Sequence, residues 1–163
     1  MTTRRDFLKT MTMASAGLAL GTGDLLGAPI SVSQRKAAAD KVKIAYVGIG
    51  NRGEQIIGDF ARTGMVEVVA LCDVDMGAPH TQKVMNMYPK AKRFRDFRQM
   101  FDKAGNDFDA VAIATPDHSH FPITMLALAS GKHVYVEKPL ARTFYEAELL
   151  MQAALKRPNL VTQ

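Results

Sequence analysis

Three glycines between a short apolar run and a helical pattern constrain the fold of this chain more than any other feature. The run Val42–Val47 leads directly into Gly48-x-Gly50-x-x-Gly53, and the helical pattern that follows ends at Gly64. A strand, a glycine turn and a helix in this order are the fingerprint of a βαβ unit that binds a dinucleotide. Gly48 permits the tight turn, Gly50 lets the backbone approach a pyrophosphate, and Gly53 lets the helix pack closely on the strand. The helix N–H groups would then face the phosphates.

A carboxylate at the end of the next predicted strand supports this interpretation. Residues 66–71 form a mostly apolar run that leads to Asp73, 25 residues after Gly48. An acidic residue in this place, about 20 residues beyond the glycine turn, binds the ribose hydroxyls of a dinucleotide. The alternative is a glycine turn in a βαβ unit that binds nothing.

The rest of the chain alternates helical patterns with short apolar runs. Helices are predicted for residues 79–88, 96–104, 118–130 and 143–156, and Asp96 is expected to cap the second of them. Further strands are predicted near Phe94 and at residues 109–114, 133–136 and 160–162. These strands are largely apolar rather than alternating, as in a parallel sheet that is covered on both faces. Six strands with helices between them predict the α/β class and a doubly wound Rossmann sheet in residues 40–163.

The first 39 residues resemble a bacterial twin-arginine signal peptide followed by a linker. Residues 3–9 read T-R-R-D-F-L-K, a nearly complete match to the signal pattern, and a mild apolar stretch follows. Cleavage is expected after Ala28 or within residues 37–39, and the sequence does not choose between these sites. A helix of the folded domain is disfavoured, because the segment has no apolar stripe at helical spacing. We therefore expect a periplasmic or otherwise exported protein, with the twin-arginine export machinery as a partner.

The net charge does not indicate a nucleic-acid partner. The chain has a formal charge of +5, but its first 39 residues contain five basic and two acidic residues, so +3 belongs to the predicted leader. A basic stretch at residues 90–98 is interpreted as a solvated face. Cys72 is the sole cysteine of the sequence, which excludes an intrachain disulfide and suits a small core residue.

Polar residues follow four of the predicted strands. The first strand ends in the glycine turn, the second at Asp73, the fourth in residues 115–120 and the fifth in residues 137–139. Ligands of such sheets bind beyond the carboxyl ends of the strands, so we expect these four tips to share one crevice. His118 and His120 do not suggest a metal, because residues two apart do not share a helix face and no third histidine or thiol is near in sequence.

The residues at these tips resemble those of a known family. The run Glu137-Lys138-Pro139, the glycine turn, Cys72-Asp73 and the segment A-T-P-D-H-S-H at residues 114–120 are similar to the N-terminal domain of the Gfo/Idh/MocA oxidoreductases. The resemblance covers residues 41–163, and the family includes glucose–fructose oxidoreductase. It implies an NAD(P)-binding Rossmann domain followed by a second α/β domain that supplies the substrate pocket. Because the chain ends at Gln163, we expect it to be the cofactor half, inactive alone, of a protein that is a homo-oligomer at full length.

The resemblance implies roles for the residues on the adenosine side. The pyrophosphate and the adenosine would be held by Gly48, Gly50, Asn51, Arg52 and Gly53. Asp73 would bind the hydroxyls of the adenine ribose. Its negative charge would repel a 2′-phosphate, which favours NAD over NADP as the cofactor.

The resemblance also implies roles on the nicotinamide side. That half would be lined by Thr115, Pro116 and His118, with His120 nearby. Glu137 would reach the nicotinamide ribose, Lys138 would be the catalytic residue beside a substrate hydroxyl, and Pro139 would follow a cis peptide bond. Oxidation of a hydroxyl releases a proton while a hydride moves to the cofactor, and an amine in this place can share or accept that proton.

Three functions remain open from the sequence. The first is a sugar or polyol oxidoreductase that is exported with its dinucleotide already bound. The second is an NAD-dependent glycosidase of the same fold, which oxidises C3 of a sugar transiently and eliminates the aglycone. The third is a non-catalytic dinucleotide-binding module.

Overall fold

The computed structural model of the chain describes residues 41–163, and the signal peptide and linker predicted for residues 1–39 lie outside the described residues. Five parallel strands form one sheet in the order β3-β2-β1-β4-β5. Their bounds are β1 Val42–Val47, β2 Val66–Cys72, β3 Lys92–Phe94, β4 Ala110–Ile113 and β5 His133–Val136. The first strand, β1, is the middle strand of this sheet and pairs with β4, so the ends of β1 and β4 lie side by side at its centre.

Helices connect the strands and confirm the predicted α/β class. Their bounds are α1 Arg52–Arg62, α2 Pro79–Met87, α3 Phe97–Ala104, α4 His120–Ala129 and α5 Phe144–Leu155. Two short 3₁₀ turns, Gly105–Asp107 and Asp117–Ser119, precede β4 and α4. None of the helices in residues 41–163 combines the length and apolar character that a membrane span requires.

Two apolar clusters cover the two faces of the sheet, as in a doubly wound fold. One cluster joins α1 and α2 to the sheet and includes Ile57, Leu71 and Val84, none of them more than 1% exposed. The other joins α3, α4 and α5 to the opposite face around Met100 and Ile123. The strands are therefore buried on both sides, which explains their apolar sequences.

Side-chain caps fix the first residues of α3 and α5. The Asp96 carboxylate accepts a hydrogen bond of 2.9 Å from the backbone N–H of Arg98, which confirms the predicted cap of α3. At the start of α5, Thr143 and Glu146 form a reciprocal capping box. Such caps satisfy N–H groups that have no partner within the helix.

Two predicted elements differ from those observed. The sixth strand at residues 160–162 is reduced to one parallel bridge, between Val134 and Thr162, so the described sheet has five strands. The predicted helix 118–130 begins with a 3₁₀ turn, and α4 proper starts at His120 without a side-chain cap. Pro122 explains the second difference, because it lacks the N–H that would bond the carbonyl of residue 118 and suits the first turn of a helix.

Close backbone approach explains two glycines of the fingerprint. Gly48 has a φ of +80°, and a Cβ atom there would lie 2.6 Å from the carbonyl oxygen of Ala114 in the neighbouring tip. A Cβ atom on Gly53 would lie 2.0 Å from the carbonyl oxygen of Gly48. Both neighbours are backbone atoms, so a side chain at Gly53 would push α1 away from the glycine turn, and one at Gly48 would push the turn away from the tip of β4.

We predict opposite effects for two glycine-to-alanine changes in α1. Gly53→Ala should lower the free energy of unfolding by about 3 kcal/mol, because the methyl group overlaps backbone that cannot move freely. Gly58→Ala, where a Cβ atom meets nothing within 4 Å, should raise it by about 0.5–1 kcal/mol through helix propensity. Urea unfolding of the two variants and the wild-type chain measures both values. Equal effects of the two changes would contradict the close approach.

Candidate functional site

A cleft of about 650 Å³ lies beyond the carboxyl ends of β1, β2 and β4. Eight of the predicted site residues line it: Gly48, Gly50, Asn51, Arg52, Asp73, Thr115, Pro116 and His118. The cleft is therefore built from three of the four tips that the sequence singled out. Because β1 is central in the sheet, these tips approach one another although they are distant in sequence.

The remaining five predicted residues lie outside the lining of this cleft. Gly53 is buried under the glycine turn, and His120 is buried behind the cleft wall. Glu137 is half-buried at the end of β5, followed by the exposed Lys138 and Pro139. The bond between Lys138 and Pro139 is cis, as the family resemblance implies.

The glycine turn presents the start of α1 to the cleft. The Gly53 N–H donates a hydrogen bond of 2.9 Å to the carbonyl oxygen of Gly50, which closes the turn. Asn51 lies within it at φ 49° and ψ −105°, a conformation that residues other than glycine seldom adopt. No side chain caps the N-terminus of α1. Its first N–H groups are thus suited to an anionic ligand.

Asp73 is held by the backbone of two loops. Its Oδ2 accepts a hydrogen bond from the Ile49 N–H in the glycine turn, and its Oδ1 accepts one from the Asp75 N–H, each 2.9 Å long. A carboxylate oxygen has more than one lone pair, so both oxygens can accept a further hydrogen bond. The carboxylate therefore organises the loops and still offers acceptors to a ligand hydroxyl in the cleft.

Arg95 is a site residue that the sequence analysis assigned to a solvated face. Its guanidinium donates to the carbonyl oxygens of Val74 at 3.0 Å and Met76 at 2.6 Å. It lines the cleft and fixes the loop that follows Asp73. Arg98 from the same basic stretch also lines the cleft, and a run of basic residues gives no signal that identifies either arginine, because their positions depend on the path of another loop.

Cys72 also lines the cleft, but its thiol is not suited to nucleophilic chemistry. Burial is the main cause that raises the pKa of its thiol, to about 12, and Asp73 adds to the effect. The thiol stays protonated at neutral pH, so it is a poor nucleophile. This agrees with its interpretation as a small core residue.

The tip of β4 carries an unsatisfied polar atom. Within residues 41–163, the hydroxyl oxygen of Thr115 is buried and has no hydrogen-bond partner. Buried polar groups are ordinarily paired, so such an atom in the wall of a cleft suits a ligand that supplies the missing hydrogen bond.

His120 joins the tips of β4 and β5. It is 1% exposed, and its ring nitrogens lie 2.8 Å from the carbonyl oxygen of Thr115 and 2.7 Å from that of Pro139. A neutral imidazole donates to one of these oxygens, whereas the imidazolium form donates to both. His120 thus holds two segments of the site in place from behind.

Glu137 accepts hydrogen bonds from two side chains on one oxygen. Arg52 donates to its Oε1 from Nε at 3.0 Å and from Nη2 at 2.7 Å, and the Tyr135 hydroxyl donates at 3.1 Å. The hydrogen bond from Arg52 is the main cause that lowers the pKa of Glu137, and the same pairing raises the pKa of Arg52. Burial, followed by the bond to Glu137, raises the pKa of Tyr135. Tyr135 was not singled out from the sequence, because it looks like one more apolar residue of β5.

The arrangement fits a dinucleotide and offers no metal site in the described residues. Among residues 41–163, no group of three or more histidine, cysteine, aspartate or glutamate side chains could hold a metal ion. The glycine turn with its uncapped helix suits a pyrophosphate, and Asp73 suits ribose hydroxyls. The Thr115 hydroxyl, which has no hydrogen-bond partner within residues 41–163, suits a polar ligand atom farther along the same cleft.

The fold and this cleft define a dinucleotide-binding Rossmann domain. A family model described as an oxidoreductase family with an NAD-binding Rossmann fold, Gfo/Idh/MocA, matches residues 42–163. The chain therefore belongs to the Gfo/Idh/MocA oxidoreductase family and contains its NAD-binding domain. This confirms the family and the cofactor that the sequence predicted.

Similar proteins include members with different activities. A glycosyl hydrolase family 109 protein of Shewanella pealeana is 31% identical over 167 residues, covering 93% of this chain and 36% of its own length. An alpha-N-acetylgalactosaminidase of Shewanella oneidensis is 29% identical with the same coverage. Scyllo-inositol dehydrogenase of Lactobacillus casei, solved with NAD(H) and scyllo-inositol, is 28% identical at a TM-score of 0.66, covering 76% of this chain and 36% of that one. The chain thus spans about a third of the length of these relatives.

We predict that His120 contributes to stability through its two carbonyl contacts. His120→Ala should lower the free energy of unfolding by about 2 kcal/mol or more, because it removes a buried ring that bridges two partly buried carbonyl oxygens. The exposed His118 provides the matched control, and His118→Ala should change stability by less than about 0.5 kcal/mol. Chemical unfolding of both variants tests this, and a His120→Ala variant as stable as the control would contradict the proposed bridge.

Proposed function

We propose that this domain holds NAD for hydride transfer to or from a hydroxyl of a sugar or polyol in the complete protein. The observation that carries the proposal is the meeting of three strand tips in one cleft, with Lys138 at the end of the neighbouring strand. The family and the solved inositol dehydrogenase support the same reaction class. The second domain of the family would supply the substrate pocket.

The residues of the cleft would divide the binding of the dinucleotide among them. The N–H groups at the start of α1 would face the pyrophosphate, and the Asp73 carboxylate would accept hydrogen bonds from the adenine ribose. The Thr115 hydroxyl would meet the nicotinamide half. A 2′-phosphate would bring a second negative charge against Asp73, so this arrangement favours NAD over NADP.

Lys138 is the residue of this chain that we assign to proton transfer. NAD, when bound, accepts the hydride that leaves the carbon of the alcohol. The alcohol oxygen loses its proton in the same reaction, and a neutral Lys138 amine within hydrogen-bond reach would accept it. The exposed position of Lys138 beyond β5 leaves it accessible to a substrate held by another domain.

A glycosidase is the second candidate, because the relatives that align with 93% of the chain include glycosyl hydrolase family 109 proteins. In that reaction, transient oxidation at C3 would acidify the C–H bond at C2, and elimination would release the aglycone and leave a C1–C2 double bond. Water would then add across that bond, and the hydride would return to C3. The domain described here would perform the same hydride step in both reactions. The two candidates differ in whether the hydride leaves with the cofactor or returns.

We also propose that the protein is exported by the twin-arginine route. The pattern T-R-R-D-F-L-K at residues 3–9 supports this. The route carries folded proteins, so NAD bound in the cleft would travel with the protein to a compartment that supplies little free dinucleotide. At full length we expect a homo-oligomer that acts on a small sugar or polyol.

Isothermal titration of the whole chain with NAD and NADP tests the cofactor proposal. NAD should bind more tightly than NADP. Asp73→Asn should weaken NAD binding by about tenfold, because it removes charged acceptors for the ribose hydroxyls. It should also reduce the ratio of the affinity for NAD to the affinity for NADP. Equal affinity of the wild-type chain for both cofactors, or no binding of either, would contradict the proposal.

Asp75→Asn is the matched control for this titration, because it neutralises a carboxylate of the same loop. Asp75 touches Asp73 through its backbone N–H, which the substitution retains. The affinity for NAD should therefore stay within about twofold of the wild-type value. Unfolding of each variant should be measured in parallel, since Asp73 also orders the glycine turn.

Replacement of the arginine pair tests export. Changing both Arg4 and Arg5 to lysine keeps the charge of the segment but removes the pair that the route recognises, so the protein should accumulate in the cytoplasm. Cell fractionation with immunoblotting measures the distribution. Unchanged export of the double variant would exclude the twin-arginine route.

A further inference from the structure

We propose that Arg52 is a positioning residue for Lys138: its guanidinium holds the carboxylate of Glu137, and Glu137 fixes the main chain of the lysine that follows. The inference rests on the proposed function, which gives Lys138 its chemical role. It assigns Arg52 a task beyond contact with the pyrophosphate, namely to join the glycine turn to the tip of β5.

The ion pair between Arg52 and Glu137 joins distant segments at the carboxyl ends of the strands. Arg52 is the first residue of α1, directly after the glycine turn, whereas Glu137 follows β5 and lies 85 positions later in the chain. In the sheet, β4 lies between β1 and β5. The ion pair therefore passes across the carboxyl end of β4, at the edge of the sheet that carries the cleft.

The carboxylate of Glu137 is held from several directions. Arg52 and Tyr135 donate to its Oε1, while its own backbone N–H donates to the Ile113 carbonyl oxygen at 2.9 Å. Lys138 follows Glu137 directly in the chain, so the hydrogen bonds that hold Glu137 lie one residue from the lysine. The residue that Arg52 holds is thus joined by one peptide bond to Lys138, so loss of the arginine should loosen the main chain next to the proposed catalytic residue.

Burial distinguishes this ion pair from an ordinary surface pair. The Glu137 side chain is 11% exposed, although that of Arg52 is 53% exposed. Exposed pairs contribute little to order because water screens them and both side chains are mobile. A carboxylate that is only 11% exposed and accepts from several donors forms a network whose members order one another.

Arg52 retains donors for a phosphate while it holds Glu137. A guanidinium has five N–H donors. Contacts within residues 41–163 engage one on Nε and one on Nη2 with Glu137, and one on Nη1 with Gln55. The side chain also lines the cleft beside Gly50. One residue can therefore face the bound pyrophosphate and the tip that carries Lys138.

Hydrogen exchange of the whole 163-residue chain, read by mass spectrometry, tests the inference without any cofactor. The reporters are the backbone amides of Glu137 and Lys138, because Pro139 has none. Arg52→Gln should accelerate their exchange roughly tenfold, as the loss of a hydrogen bond to a charged group predicts. Amides in β1 and β4 should keep their wild-type rates, since the change is local.

Two further variants separate a specific contact from general loosening. Arg52→Lys keeps the charge but replaces the fork with one ammonium group, so exchange should be intermediate. The double variant Arg52→Glu/Glu137→Arg keeps an ion pair but swaps the positions of the acid and the base. Hydrogen exchange of the two amides should then return toward the wild-type rate. Wild-type exchange in Arg52→Gln, or no recovery in the charge-exchanged pair, would overturn the inference.

Arg62→Gln is the matched control. Arg62 belongs to the same helix and pairs with Asp59, but both side chains are exposed and the pair lies within one turn of α1. Its replacement should leave the exchange of Glu137 and Lys138 unchanged. Titration of the same proteins with NAD separates the two proposals, because absence of binding contradicts the proposed function while the exchange rates report on Arg52 alone.

Discussion

The structure depends on one close contact, the approach of Gly53 to the carbonyl oxygen of Gly48. A side-chain carbon at Gly53 would lie 2.0 Å from that oxygen, so α1 reaches its place only because the residue has no side chain. Once α1 is seated, its N-terminus points into the cleft and Arg52 stands at the edge of the sheet. The position of the N-terminus of α1 relative to the tip of β5, which carries Lys138, therefore depends on this contact.

The sequence predicted the parts of the site that are local in the chain. The glycine turn, the carboxylate of Asp73 and the polar tips after apolar runs each follow from a short pattern whose physical reason is known. The cap at Asp96 was predicted for the same reason. The predicted sixth strand at residues 160–162 is present only as one parallel bridge to β5, and a run of three residues does not show how far such pairing extends.

Contacts between distant segments could not be predicted in this way. The pairing of Arg52 with Glu137 requires the order of strands across the sheet, which no pattern within either segment contains. The position of His120 between two carbonyl oxygens likewise depends on where β4 and β5 end. In each case the residue itself was singled out, but its partner was expected to be the cofactor, whereas the structure places a segment of the protein against it.

The two hydrogen bonds to Asp73 link cofactor choice to loop order. The carboxylate that would face a ribose also accepts the N–H groups of Ile49 and Asp75. A change of preference toward a phosphorylated dinucleotide by a residue without a side-chain acceptor, such as alanine or lysine, would also leave the Ile49 and Asp75 N–H groups without a partner and loosen the glycine turn. The preference for a cofactor is therefore tied here to the folding of a loop as well as to the contacts with the ligand itself.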